Sequence, residues 1–266
     1  MGIAHATPRI ALAAVLAWLC AFPACAHDSW FARLPSNGPG IALGFSTGTR
    51  FPLAEIGPPR ESVLQSSCVN GEGKSVSLDI GEARAAVLPL RADSDTGAVA
   101  CSIELIPFDI VLPPPIVKVY FRDVHPSDAV RAAWSAQQAN GGAWQERYRK
   151  FARVEVSGGS ESPEQLRGLR KPVGLDLELV VTGEAPLRVG EMATFQVLSR
   201  GEPVADLPLE LVSERSPLGV WGRSNAQGRL SFRLPFSGAW LVRGTLIEPD
   251  GEHWKSRFVT LAFEAR

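Results

Sequence analysis

The sequence predicts a mainly β protein: two β-sandwich domains, the C-terminal one immunoglobulin-like, with a short helical insert between them. Three observations carry this expectation. Short runs rich in β-branched and aromatic residues recur along the chain, many with alternating apolar and polar positions. They are punctuated by 25 Gly and 21 Pro in 266 residues. Between His125 and Val156 the character changes to helix formers. Hydrophobic residues make up 45%, charged residues 21%, and the net charge is −1. A disordered chain is thereby excluded. With no basic excess to displace counterions from phosphates, nucleic acid is not an expected partner.

Residues 1–26 read as an export signal. Arg9 precedes the apolar run Ile10 to Phe22, and Ala24-Cys25-Ala26 supplies small residues at the cleavage positions. That run is shorter than the roughly 20 residues needed to span a bilayer, and no later stretch is long enough. The mature protein is therefore expected to be periplasmic and not integral to the membrane. Cys25 is a poor lipoprotein acceptor, since Phe22 stands three positions upstream where a leucine-like residue is usual. Cleavage after Ala26 leaves His27 as the first residue.

The N-terminal β domain is expected over residues 27–124. Its strand-like runs are Gly40 to Phe45, Ser75 to Ile80, Ala98 to Ile106 and Ile116 to Phe121, separated by turn residues at Asn70-Gly71 and Asp95-Thr96-Gly97. Pro113 to Pro115 cannot sit in a central strand, because proline has no N–H for the ladder, and reads as a rigid lead-in to the strand after it. A helical insert and linker is expected over 125–171. One helix covers Ala129 to Ala139, opened by Pro126-Ser127-Asp128 and stopped by Asn140-Gly141-Gly142. A second is expected over Ala143 to Val154, where Trp144, Tyr148 and Phe151 fall at i, i+4 and i+7. Gly158 to Pro172 reads as a polar linker. The C-terminal sandwich occupies 172–266, with strand-like runs at Leu175 to Val181, Ala193 to Leu198, Leu207 to Val212, Arg229 to Leu234, Ala239 to Leu246 and Arg257 to Phe263.

Two of the four cysteines, Cys20 and Cys25, belong to the leader. The remaining pair, Cys68 and Cys101, most simply forms one disulfide in an oxidising compartment. A thiol metal site is disfavoured, since two cysteines so far apart lack CxxC spacing.

A series of motifs runs through the mature chain. It begins with His27-Asp28-Ser29-Trp30-Phe31 and continues with Glu146-Arg147-Tyr148 and Phe151-Ala152, then Pro172-Val173-Gly174 with Leu177 and Leu179. Gly201, Pro203 and Val204 follow, then Asn225-Ala226 with Gly228-Arg229, Gly238 with Trp240, Val242 and Arg243, and Trp254 with Ser256, Phe258 and Thr260. The series resembles the domain-of-unknown-function family labelled as the periplasmic component of ABC-type cobalt/nickel uptake systems. The resemblance implies nickel or cobalt handling beside membrane metal-transporter components. Members of that family often carry a histidine in the strand after Trp-Leu-Val-Arg, where this chain has Thr245.

The side chains themselves permit such chemistry. An N-terminal His27 offers its α-amine and its imidazole Nδ1 to one cation, and an amine of pKa near 8 is readily deprotonated by a metal. Such nitrogen ligands suit Ni²⁺ or Co²⁺, and equally Cu²⁺ or Zn²⁺. Asp28 adds a carboxylate, and His125 or His253 could complete the set if the fold brings either close. Motifs for nucleophilic, zinc-protease or nucleotide chemistry are absent, and the Asp93/Asp95 pair looks like a solvated loop. The expected function is a non-enzymatic, metal-binding component that assists transport. The alternatives are an interaction or carrier module without metal and a copper-binding histidine-brace protein.

Overall fold

The computed structural model describes residues 27–36, 38–94 and 97–266. The leader expected over residues 1–26 lies outside the described residues, as does Asp95. The chain begins with β1 (Asp28–Arg33), β2 (Ile41–Gly48), β3 (Val63–Asn70), β4 (Ser75–Val76), β5 (Leu78–Ile80), β6 (Leu88–Ala92), β7 (Val99–Leu105) and β8 (Phe108–Leu112). Two helices follow, α1 (Pro114–Val124) and α2 (Asp128–Ala139), then the long strand β9 (Trp144–Val156) and the short helix α3 (Pro163–Leu169). The remainder is β10 (Glu178–Thr182), β11 (Met192–Ser199), β12 (Glu202–Pro203), β13 (Pro208–Ser213), β14 (Ser216–Arg223), β15 (Arg229–Arg233), β16 (Gly238–Asp250) and β17 (His253–Ala265).

The protein is mainly β, and the strands among the described residues form three sheets. A nine-stranded sheet runs β14-β13-β16-β17-β9-β7-β3-β4, with β8 also paired to β9. Its two halves are sewn together by the parallel pairing of β17 with β9, Trp254 opposite Glu146 through Phe263 opposite Glu155. Along β17 successive side chains point to opposite faces. Ala262, with Leu241 and Val212, packs under the four-stranded sheet β1-β2-β6-β5. Leu261 and Phe263, with Val242 and Leu211, pack under the sheet of β10, β11, β12 and β15. Two sandwiches thus use opposite faces of one central sheet. No helix among the described residues is long and apolar enough to cross a membrane.

Two expected elements exchange identity. Ile116 to Phe121, expected as a strand, lies in α1. Pro114 and Pro115 occupy the first helical turn, where a missing N–H costs nothing. Val117, Tyr120, Phe121 and Val124 are the buried positions, at i, i+3, i+4 and i+7. Conversely, Ala143 to Val154 is not a helix but most of β9. Trp144, Glu146 and Tyr148 are buried and alternate with exposed Gln145 and Arg147, a period of two. Trp144 and Tyr148 share one face, while Phe151 points to the other and joins the C-terminal core. The polar linker expected after Gly158 contains α3, whose Ser162 and Gln165 form a reciprocal N-terminal cap. Leu166 and Leu169 seat this helix on Ala98 and Ala100. Gly168 makes the seating possible, since a Cβ there would meet the Gly71 carbonyl oxygen.

Helices α1 and α2 cover an aromatic cluster on the central sheet, with Trp144 stacked on Trp254 at 4.4 Å and Tyr120, Phe121 and Trp134 around them. Glu146 is buried among these rings. It accepts hydrogen bonds from Trp144 Nε1 (2.6 Å) and Tyr120 Oη (3.0 Å). Burial pushes its carboxyl above the ordinary value of 4.5, and hydrogen bonds from Ser256, Trp144 and Tyr120 offset only part of that. Between 4.5 and the raised value the folded state holds more protons than the unfolded chain, so stability falls as pH rises through that window. Above it the full cost of the buried carboxylate persists. Glu146→Gln removes the charge, keeps an acceptor for the Trp144 N–H, and turns an amide N–H toward the Tyr120 hydroxyl, whose oxygen can accept it. Urea titrations across pH are expected to show a higher midpoint for Glu146→Gln at pH 7.5 and no decline through the window. A parallel decline in both proteins would refute this.

Candidate functional site

The pairing of β1 with β2 builds the site. Asp28 lies opposite Gly48, so the residue before it, His27, is carried beside Thr49. Thr49 Oγ1 lies 3.1 Å from His27 Nε2 and 3.0 Å from Glu55 Oε2, while the Thr49 backbone N–H donates to Glu55 Oε1 at 3.1 Å. The backbone N–H and hydroxyl of Thr49 hold the Glu55 carboxyl below its ordinary value, so this group only accepts. A hydroxyl has one proton, and Glu55 takes it. His27 Nε2 must then be the donor to Thr49, and in the neutral imidazole that tautomer leaves Nδ1 as the lone-pair nitrogen. Among the described residues His27 Nδ1 is the one buried side-chain polar atom with no hydrogen-bond partner. The main chain of His27 is held too, because Lys150 Nζ donates to its carbonyl at 2.7 Å.

Asp28 is differently engaged. Its carboxylate is buried and paired with the guanidinium of Arg243, which also donates from Nε to Glu210 Oε2 at 2.6 Å. Burial works against the charge on Arg243, but Asp28 and Glu210 outweigh it and hold the guanidinium firmly protonated. Ser29 is anchored in turn, its carbonyl accepting from Thr260 Oγ1 at 2.6 Å. Asp28 therefore serves as an anchor for the start of β1. A cavity of about 210 Å³ opens beside it, lined by Thr49, Arg50, Phe51, Glu210 and Arg243 among others. Thr245, in the region where the resembling family often has histidine, is buried and lines a smaller gap with Asp28, Asp123, Trp221 and Arg243. Burial raises the Asp123 carboxyl there, against the charges of Arg243 and Arg122.

Neither of the other two histidines hydrogen-bonds to His27, Thr49 or Glu55 among the described residues. His125 is the left-handed cap that ends α1, at φ 48°, and its ring rests 4.0 Å from that of Trp221. That contact puts it against Trp221, which lines the small gap shared with Asp28 and Arg243. His253 opens β17, paired with Asp250 across the hairpin. Seven residues separate it from Thr260, the partner of Ser29, a distance of roughly 23 Å along an extended strand. Among the described residues no three His, Cys, Asp or Glu side chains converge as a metal-ligand group. Cys68 and Cys101 form a disulfide between β3 and β7, where they stand directly opposite one another.

Thr49, Glu55 and Lys150 escaped sequence reasoning. Thr49 and Glu55 belong to no motif and reach His27 only through strand register. Lys150 sat in a segment expected to be helical. Arg243 carried a signal, being a lone cation between the apolar run Trp240 to Val242 and the strand residues Thr245 and Leu246.

A family model described as a domain of unknown function (DUF4198) matches residues 24–247. No curated protein matches the chain.

Proposed function

The chain belongs to the family described as the domain of unknown function DUF4198, whose match spans residues 24–247 of 266, and on that premise we propose that it is an exported, non-enzymatic divalent-metal-binding protein whose ligand is His27. Cleavage after Ala26 would make His27 the terminal residue and free its α-amine. The amine and Nδ1 would then close a chelate on one ion. The observation that carries this reading is the unpartnered, buried Nδ1 of a ring whose other nitrogen is committed to Thr49 and, through it, to Glu55. A metal-ligating imidazole characteristically has its second nitrogen fixed in this way. Asp28 holds the strand rather than the ion, since Arg243 occupies its carboxylate. Two nitrogens from the chain leave room for water or for donors of a recipient protein, which suits an ion carried as cargo. Nickel and cobalt, handed to membrane transporter components from the periplasm, are the ions the family resemblance favours. Copper and zinc fit the same nitrogen donors.

Calorimetric titration of the protein purified after export, with Ni²⁺, Co²⁺, Cu²⁺ and Zn²⁺ in turn, tests the proposal. His27→Ala is expected to weaken the tightest of these by about tenfold or more, the scale at which ligand-shell changes act. N-terminal sequencing should begin at His27. Equal affinities in the two proteins would refute the chelate and favour an interaction module without metal.

A further inference from the structure

Helices α1 and α2 leave between them a groove of about 700 Å³ that the metal reading does not use. Its floor is apolar, formed by Phe121 and Trp134, both largely buried. One end is walled by Pro114 and Pro115, and the rim carries Lys118, Arg122 and Arg131. Helix α1 turns Val117, Tyr120, Phe121 and Val124 toward the core, leaving Lys118 and Arg122 exposed and one helical turn apart. Arg131 comes from α2, where it donates to the carbonyls of Phe121 (3.2 Å) and Pro126 (3.3 Å), with its guanidinium 5.6 Å from the Phe121 ring. No Asp or Glu lines the groove. Among the described residues none of the three cations has an ion-pair partner. Three positive charges thus gather over an aromatic floor in a protein of net charge −1.

We propose that this groove binds an extended, acidic peptide segment of a partner protein, with an apolar or aromatic side chain anchored on Phe121 and Trp134. The spacing supports a peptide. Lys118 and Arg122 are separated by four helical rises, about 6 Å, and side chains two apart on an extended strand are separated by about 6.6 Å. Carboxylates at alternate positions therefore match the two cations. The side chain between them points away, and an apolar residue two positions beyond either carboxylate points back toward the floor. Charge complementarity of this kind speeds encounter and weakens with salt. The proposal rests on the groove alone and stands whether or not His27 takes a metal.

The test is selection of a phage-displayed library of seven-residue peptides on the purified protein, followed by anisotropy titration of the enriched peptide. Peptides carrying Asp or Glu at alternate positions, with an apolar residue two positions before or after them, are expected to be enriched, with affinity that falls as salt rises. Lys118→Glu with Arg122→Glu should weaken binding by about tenfold or more. These side chains make no ion pairs, so the fold should be retained. Arg33→Glu with Arg188→Glu, two exposed cations elsewhere, should leave affinity unchanged. Enrichment of non-acidic peptides, no enrichment, or equal loss in both double variants would overturn the proposal. So would Lys118- and Arg122-dependent sedimentation with phosphatidylglycerol vesicles in place of peptide binding, which would reassign the groove to a lipid surface.

Discussion

Arg153→Leu is expected to destabilise the protein by about 3–5 kcal/mol, the cost of stranding a buried charge without its partner. Arg153 and Glu178 have side-chain exposures of only 3% and 1%. Arg153 bonds Glu178 and donates to the carbonyls of Leu169 (2.7 Å) and Lys171 (3.0 Å). Glu178 accepts from the backbone N–H of Val173 (2.9 Å) and Gly174 (3.1 Å). The pair thus ties β9 to β10 and to the chain that leaves α3. Leucine fills much of the space but leaves the Glu178 carboxylate buried with no cation and frees two carbonyls. Adding Glu178→Gln removes that charge and keeps an acceptor for one N–H, so the double variant should recover part of the loss. Urea denaturation of wild type, single and double variants measures this. A single variant within about 1 kcal/mol of wild type, the range of exposed ion pairs, would show that the pair is not the tie described.

The second large effect concerns the disulfide. Cys68→Ala with Cys101→Ala is expected to cost roughly 4 kcal/mol, because the bond joins residues 33 apart in sequence and limits the unfolded chain. Both residues lie in the N-terminal core beside Ile103 and Val154, so lost packing acts in the same direction. Denaturation of wild type with and without a thiol reductant separates the contributions: reduction isolates the cross-link, and the double variant adds the packing. Equal midpoints for oxidised wild type and double variant would contradict the expectation. The bond also agrees with an oxidising compartment, where such cross-links persist.

Much of the β pattern was legible along the chain, including β2, β7, β11, β13 and β16, whose apolar and turn residues are local signals. The failures have a physical pattern. Ile116 to Phe121 is β-branched and aromatic, so its composition argues for a strand, yet burial at Val117, Tyr120, Phe121 and Val124 makes a helix the better solution. Trp144, Tyr148 and Phe151 have helical spacing, yet neighbouring strands on both sides of β9 satisfy its backbone, and the layers packed on each face of the sheet bury its side chains. A strand buried on both faces need not alternate, so aromatics at 144, 148 and 151 can fall at helical spacing by using both faces of β9. At the candidate site, His27 and Asp28 stood out by position. Their roles diverged only when Arg243, 215 residues away, paired with Asp28 and left the imidazole to Thr49.

Taken alone, the order of residues determined the β character, and it singled out Cys68 and Cys101 as a candidate cross-link and His27 as a candidate ligand. These are properties of composition and of nearest neighbours, and they survive without knowledge of which segments touch. Tertiary structure decided that β17 lies parallel to β9, that one sheet serves two sandwiches, and which nitrogen of His27 is left without a partner. Those outcomes depend on register between strands distant in the chain. Register is chosen by the whole buried surface at once, so no local stretch of sequence encodes it.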